Sequence, residues 1–137
     1  MLLARAQNGA GDRTGEIETY RSILALDPSN LIALNNLAYA LALTSPDEAL
    51  TFAQRAVERA PGEPSIQDTL GWIYYRKGLY GMAVGYLKTA VEKGPTPRRQ
   101  FHLGMCYVKT GDQITGQKLV KDALQKEPNL VKTEQGW

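Results

Sequence analysis

Apolar side chains recur along this chain at spacings of three and four residues, in segments separated by short polar, glycine-containing or proline-containing stretches. Such spacing places the apolar side chains on one face of an α-helix. The pattern predicts helices over residues ~14–26, ~30–43, ~46–60, ~63–77, ~79–93, ~97–110 and ~113–126. We therefore expect an all-α protein whose helices bury one face each.

Helix-breaking residues separate several of these segments. The breaks are Ser45-Pro46, Lys77-Gly78 and Thr110-Gly111-Asp112. Gly78 and Gly111 suit the residue after a helix end, where a left-handed backbone carries no Cβ penalty. Asp47-Glu48 follows a break, so these acids are expected in a first turn, where the helix dipole favours negative charge.

The chain repeats itself with a period in the low thirties. Prolines recur at Pro28, Pro61, Pro95 and Pro128, with spacings of 33, 34 and 33 residues. A leucine followed by a small residue recurs as Leu37-Ala38, Leu70-Gly71 and Leu103-Gly104. A fixed period of this length is typical of stacked helix pairs, and each recurring proline closes one period because it cannot continue a helix.

Within each period the residues follow a recognisable order. The third period is Gln67-x2-Leu70-Gly71-x2-Tyr74, then Ala83-x3-Leu87, Ala90 and Pro95. The fourth is Gln100-x2-Leu103-Gly104-x2-Tyr107, then Gly116-x3-Val120, Ala123 and Pro128. This order resembles the tetratricopeptide repeat (TPR), and the strings Leu34-Asn35-Asn36-Leu37-Ala38-Tyr39 and Asp68-Thr69-Leu70-Gly71-Trp72 resemble bacterial members, including envelope and exopolysaccharide-export proteins. The chain departs from the family where an aromatic residue opens the motif: it has Leu34, Gln67 and Gln100 instead.

The resemblance covers about residues 1 to 128 and implies a right-handed α-α superhelix of stacked helix-turn-helix pairs, with about 7–8 helices. It divides a single domain over residues 1–137 into repeats near 1–29 (partial), 30–62, 63–96 and 97–129, with a tail at 130–137. Small residues have a packing reason, because Ala38, Gly71 and Gly104 lie where the two helices of a pair should approach closely. Residues 1–8 are expected to be the second half of a first helix. A fragment of a longer array is favoured; an end covered by a partner is the alternative.

In the family, partners usually bind the concave surface, which the first helices line. Helical spacing predicts which side chains point into the groove. Ala42, Thr69, His102 and Val108 lie on the groove-facing sides of the first helices. The predicted groove residues are Asn35, Asn36, Tyr39, Asp68, Trp72, Tyr75, Arg76, Phe101, Met105 and Lys109. Tyr and Trp offer large contact areas with few rotors, so we expect Trp72 and Tyr75 at the centre of the groove. For Tyr39 and Met105 the alternative is packing between neighbouring first helices.

The chaperone C-terminal tail is not an expected ligand. TPR domains that bind such tails carry Lys, Asn and Arg at fixed places on three successive first helices. Asn36 fits one place, but Ser65 and Thr69 stand where cationic donors are needed, and a carboxylate needs such donors.

Catalytic and metal-binding constellations are not expected either. His102 and Cys106 are the only residues of their types and lie four apart on one helix. A catalytic pair would also need an orienting group and an oxyanion hole, and two ligands do not complete a metal site. The interpretation is a packed Cys106 and a His102 on the groove, with no cofactor.

The distribution of charged residues indicates which classes of partner to expect. Apolar residues make up 43% and charged residues 22%, with a net charge of +2. Residues 1–87 carry 7 basic and 9 acidic side chains, and residues 88–137 carry 9 and 5. Arg98-Arg99 lies in this basic part, but the patch is too sparse for nucleic acid, and an acidic protein partner suits it better.

No apolar run reaches the length of a membrane span, and no signal peptide opens the chain. Two cellular locations fit the sequence. The cytoplasm is the default, and the periplasm is expected if the chain is a fragment of an exported protein. The favoured function is a non-enzymatic scaffold or adaptor that binds an extended peptide or partner protein in its groove. The alternative is a self-assembly module, a dimer or a stacked array, within a larger bacterial envelope or secretion-related TPR protein.

Overall fold

The computed structural model describes residues 10–134 of the 137-residue chain. Within that range the secondary structure is helical, with no strand. The helices are α1 (Ala10–Leu26), α2 (Leu31–Leu41), α3 (Pro46–Arg59), α4 (Pro64–Arg76), α5 (Tyr80–Lys93), α6 (Pro97–Thr110), α7 (Gln113–Lys126) and α8 (Leu130–Glu134). The expectations for residues 1–8 and for Trp137 lie outside the described residues.

The predicted helices are present, and their ends agree within about two residues at every position except the start of α1. This helix begins at Ala10, so Gly11 lies inside it rather than between two helices. A single glycine costs only about 1 kcal/mol inside a helix and cannot impose a turn without a proline or a cap beside it.

Local chemistry fixes the helix ends. The side chain of Asn30 accepts the Ala33 N–H at 2.9 Å, and that of Thr96 accepts the Arg99 N–H at 3.2 Å, which caps α2 and α6. Gly78 and Gly111 have φ of 81° and 101°, the left-handed conformation that lets α4 and α6 stop and the chain reverse. Both glycine predictions are therefore confirmed.

Consecutive helices pack as antiparallel neighbours in the pairs α2/α3, α4/α5 and α6/α7, and each pair stacks on the next. One continuous apolar core follows the stack and includes Leu37, Ile66, Ile73 and Leu87. A smaller cluster of Phe101, Ala123 and Leu130 holds α8 against α6 and α7. Burial is thus shared between neighbouring pairs, as expected for a solenoid.

The two helices of a pair touch backbone to backbone where the sequence supplies glycine. A Cβ on Gly104 would lie 2.8 Å from the carbonyl oxygen of Gly116, and one on Gly116 would lie 2.7 Å from that of Gly104. In the preceding pair, a Cβ on Gly71 would lie 2.4 Å from Leu87 Cγ. The predicted packing role of the small residues is confirmed. Of the α4/α5 and α6/α7 pairs, α6/α7 has the closer approach of the two backbones, because Gly116 faces Gly104.

We expect Gly104→Ala to lower the free energy of unfolding by about 1–3 kcal/mol, because the new methyl group meets a backbone carbonyl that cannot rotate away. Gly85→Ala is the matched control: Gly85 lies in α5, and a Cβ there meets nothing within 4 Å, so the change should stabilise the fold by about 1 kcal/mol. Urea denaturation of both variants measures the difference. Equal effects would contradict the close crossing.

Candidate functional site

The inner faces of α2, α4 and α6 converge on the imidazole of His102, which is fully buried. Its Nδ1 lies 2.8 Å from Asp68 Oδ1, and its Nε2 lies 2.7 Å from Glu134 Oε1. Asp68 comes from α4 and Glu134 from the last residue of α8. One ring therefore links two carboxyl groups that are 66 residues apart in sequence.

Aromatic rings hold the imidazole from the side. Trp72 stacks on His102 with ring centroids 4.1 Å apart and planes 19° from parallel. Tyr75 stacks in turn on Trp72, with ring centroids 4.6 Å apart and planes 5° from parallel. Trp72 is only 3% exposed, so it supports the inner face rather than lining an open channel.

Tyr39 and Arg98 form the outer edge of the same site. The Tyr39 hydroxyl donates to Glu134 Oε1 and lies 3.4 Å from His102 Nε2. The Arg98 guanidinium lies over the Tyr39 ring, 5.1 Å from its centroid. Arg98 Nε is 4.0 Å from both Asp68 Oδ2 and Glu134 Oε1, which is ion-pair distance. We call the following residues the concave cluster: Tyr39, Asp68, Trp72, Arg98, His102 and Glu134.

Burial sets the protonation of the carboxyl group from α8. Removal from water disfavours the carboxylate and raises the pKa of Glu134 to about 8, while the charge of Arg13 works in the opposite direction. A protonated Glu134 can donate to His102 Nε2, and an ionised one can accept from an imidazolium. The hydrogen bond between the two side chains is therefore available in either state.

The geometry of the concave cluster does not suit a metal ion, because its two carboxyl groups bond to opposite nitrogens of the ring and the point that both approach is taken by Arg98 Nε, 4.0 Å from each. Within residues 10–134 no group of three His, Cys, Asp or Glu side chains could hold a metal. Cys106 is buried as predicted, and burial raises the pKa of its thiol to about 12, so no reactive thiolate forms.

The structure divides the predicted groove residues into three groups. The buried ones are Asp68, Trp72, Tyr75 and Phe101. The half-buried ones are Asn35, Asn36, Tyr39, Arg76 and Met105, and Lys109 is exposed. Phe101 packs on Leu130 and Ala123 in the small cluster under α8, and its ring also meets that of His102 edge-on, with centroids 6.4 Å apart. His102, expected on the groove surface, lies beneath it.

Sequence reasoning missed Arg98 and Glu134 as members of one site. The sequence pattern places Arg98 in a basic patch and residues 130–137 in a tail. The signal was present in the period: α8 starts two residues after Pro128, much as α2 starts three residues after Pro28. Continuing the period by 33 residues from Asp68 and Phe101 puts Glu134 at the same inward position.

A second feature lies at the C-terminal end of the stack. An open groove of about 530 Å³ runs between α6 and α7, beside the place where α8 packs. Its walls are largely apolar and include Met105, Val108, Val120 and Leu124. The groove lies on the face of the α6/α7 pair against which α8 packs.

Comparisons with known proteins agree with this architecture. A tetratricopeptide repeat family model matches residues 1–64. The TPR repeat-containing protein PA4667 of Pseudomonas aeruginosa is 34% identical over 105 residues, which cover 75% of this chain and 17% of that protein. The chain thus spans less than a fifth of the curated relative's length.

Solved structures of low sequence identity share the fold. MamA from Desulfovibrio magneticus RS-1 (residues 41 to the end) is 21% identical with a TM-score of 0.67, covering 87% of this chain and 68% of that one. The thermophilic TPR protein TTC0263 of Thermus thermophilus is 20% identical with a TM-score of 0.69, covering 84% and 66%. The stacked helix pairs define an α-helical solenoid. The chain belongs to the tetratricopeptide repeat proteins.

Across the described residues, no helix combines the length and the apolar character needed to cross a membrane.

We expect the stability of this fold to fall as pH rises from about 4.5 to about 8, because over that window the folded state keeps a proton on Glu134 that the unfolded chain has lost. Glu134→Gln should remove this part of the slope, since the amide does not titrate. Charged or titratable groups that face Glu134 or act on it come from four other helices: Arg13, Tyr39, Asp68, Arg98 and His102.

The measurement is urea denaturation of both proteins at several pH values across that window. The difference between the two curves reports Glu134 as part of its hydrogen-bonded network with His102 and Asp68. Parallel curves would mean that Glu134 is ionised throughout and is not desolvated.

Proposed function

We propose that this chain is a protein-interaction module that binds an extended segment of a partner protein along the concave face, and that its role is binding rather than catalysis. The observation that carries the proposal is the convergence of aromatic and polar side chains from α2, α4 and α6 on one inner surface. A TPR fold implies protein partners in general; the position of the contact on this face is our proposal.

The accessible part of this surface suits a peptide backbone. Asn35, Asn36, Tyr39 and Arg76 are half-buried, which leaves polar atoms within reach of a ligand. Asn35 Oδ1 is buried and receives no hydrogen bond from the described residues. Tyr and Arg beside a rigid apolar support are typical of binding hot spots.

In this proposal Trp72 and Tyr75 act as the support. Their stacked rings fix the inner face while the half-buried residues around them make the contacts. A rigid support lowers the entropy that binding must overcome, because the contact side chains are already ordered. Replacing Trp72 would therefore remove core packing together with binding, and the test must use the edge residues instead.

We expect the double variant Asn36→Ala, Arg76→Glu to lose about tenfold or more in affinity for peptides selected on the wild-type protein from a random peptide library. Loss of a side-chain amide and reversal of one charge on the inner face account for the effect. Affinity is measured by isothermal titration calorimetry, with circular dichroism to verify folding.

Arg59→Glu is the matched control. Arg59 and Arg76 both lie in the last turn of a helix, so reversing either charge weakens the interaction with the helix dipole by a similar amount. Arg59 differs in that it is exposed and lies on α3, the second helix of its pair. It should leave affinity unchanged. If Arg59→Glu weakens binding as much as the double variant does, the contact is not on the concave face.

The open apolar groove between α6 and α7 favours a second candidate function, stacking of copies. An apolar groove at the end of a repeat array is the surface that the next helix pair normally covers. A helix of a second copy could fill it, which would extend the array from one chain to another.

If copies stack, we expect the wild-type protein to have a light-scattering mass above the monomer mass of 15.1 kDa. We expect Leu124→Glu to be a monomer, because it places a charge in the apolar groove. Leu79→Glu changes an exposed leucine outside the groove and serves as the control. A wild-type monomer at high concentration would rule out stacking.

A further inference from the structure

Tyr39, Arg98 and His102 surround the carboxyl group of Glu134 with donors. His102 Nε2 is 2.7 Å from Glu134 Oε1, and the Tyr39 hydroxyl donates to the same oxygen. Arg98 Nε stands 4.0 Å away and adds positive charge. A hydroxyl, an imidazole and a guanidinium around one oxygen form a site with the chemistry of carboxylate recognition. We call these three residues the carboxylate site.

The carboxylate site is held in place by residues other than its occupant. Asp68 accepts a hydrogen bond from His102 Nδ1 at 2.8 Å and thereby orients the ring. Trp72 stacks on the same ring at 4.1 Å, and Arg98 lies over Tyr39. The donors come from α2 and α6, whereas the carboxyl group comes from α8. The site therefore keeps its geometry when Glu134 leaves.

The hydrogen-bonding groups of the emptied site favour a carboxyl group. With Glu134 removed, the Tyr39 hydroxyl, His102 Nε2 and Arg98 remain, and Arg98 lies 4.0 Å from Asp68 Oδ2. Asp68 Oδ2 is itself buried with no hydrogen-bond partner among the described residues, and the nearest cation is Arg98. A carboxyl group that enters can make the contacts that Glu134 makes with Tyr39, His102 and Arg98, in a site where burial strengthens each hydrogen bond.

The present occupant belongs to an element with little buried apolar surface. Of the five described residues of α8, Leu130 and Glu134 are buried, and Val131, Lys132 and Thr133 are exposed. Elements with little buried apolar surface open at a fraction of the cost of global unfolding. Glu134 is therefore a competitor for the site rather than a fixed part of it.

We propose that the carboxylate site binds a glutamate or aspartate side chain of an acidic partner segment, which displaces Glu134. The inference rests on the proposed function and adds the chemical class of the ligand. It uses residues other than the Lys, Asn and Arg positions of chaperone-tail binders, which Ser65 and Thr69 do not provide.

The test uses a fluorescein-labelled peptide of alternating glutamate and glycine, with a glutamine–glycine peptide as the control probe, and fluorescence anisotropy of the full chain. Glu134→Ala should bind the glutamate peptide about tenfold or more tightly than wild type, because a tethered competitor at millimolar effective concentration has been removed. The glutamine peptide should bind neither protein measurably.

Two variants in the Glu134→Ala background separate the site from general attraction to a basic surface. Arg98→Gln should weaken binding of the glutamate peptide about tenfold, since it removes a charge beside the bound carboxylate. Arg59→Gln removes the same charge from an exposed position on α3 and should have no effect. Equal losses from both variants would overturn the assignment.

The remaining outcomes separate this inference from the proposed function. Equal binding of the two peptides overturns the carboxylate assignment and leaves a concave peptide groove in place. Equal affinity of wild type and Glu134→Ala also overturns it, because Glu134 then does not compete. If neither peptide binds Glu134→Ala, the inference fails, and the library-selected peptides with the Arg76 and Arg59 variants decide the proposed function alone.

Discussion

The close crossing of the two helices in the pairs α4/α5 and α6/α7 is the constraint on which the rest of the structure depends. Where Gly104 faces Gly116, the two backbones are in direct contact, and a single methyl group would lie 2.8 Å from a carbonyl oxygen. Gly71 accepts Leu87 at the equivalent crossing of the preceding pair. Because each pair is so thin at its centre, leucine and isoleucine side chains fill the space between pairs, and the stack becomes one continuous core.

This stacking curves the inner face until its side chains meet. Tyr39 and His102 lie on α2 and α6, two pairs apart, yet their ring centroids are 6.0 Å from each other. The inner face is therefore filled by stacked rings and buried carboxyl groups rather than left as an open channel. Burial of so many polar groups is tolerable only because His102 hydrogen-bonds to both acids and Arg98 supplies the balancing charge.

A buried ionic cluster of this kind adds little net stability, because desolvation offsets much of the attraction. Here one of its members comes from the short helix α8, and the others come from the main stack. The site and its occupant are thus separate elements of the fold, which is the physical basis for an exchange of one carboxylate for another. The likeness to PA4667, MamA and TTC0263 concerns the array and not this cluster.

The sequence alone determined the helices, their pairing and the close crossings, because these follow from local periodicity, glycine and proline at fixed places, and a period in the low thirties. It also indicated which side chains face inward. Only the tertiary structure decided how far inward they lie: Trp72 and His102 are buried because the curvature of the stack brings α2, α4 and α6 together. That Glu134 joins Tyr39 across 95 residues depends on this curvature, because the repeat period marks position 134 as inward but does not determine which side chains meet there.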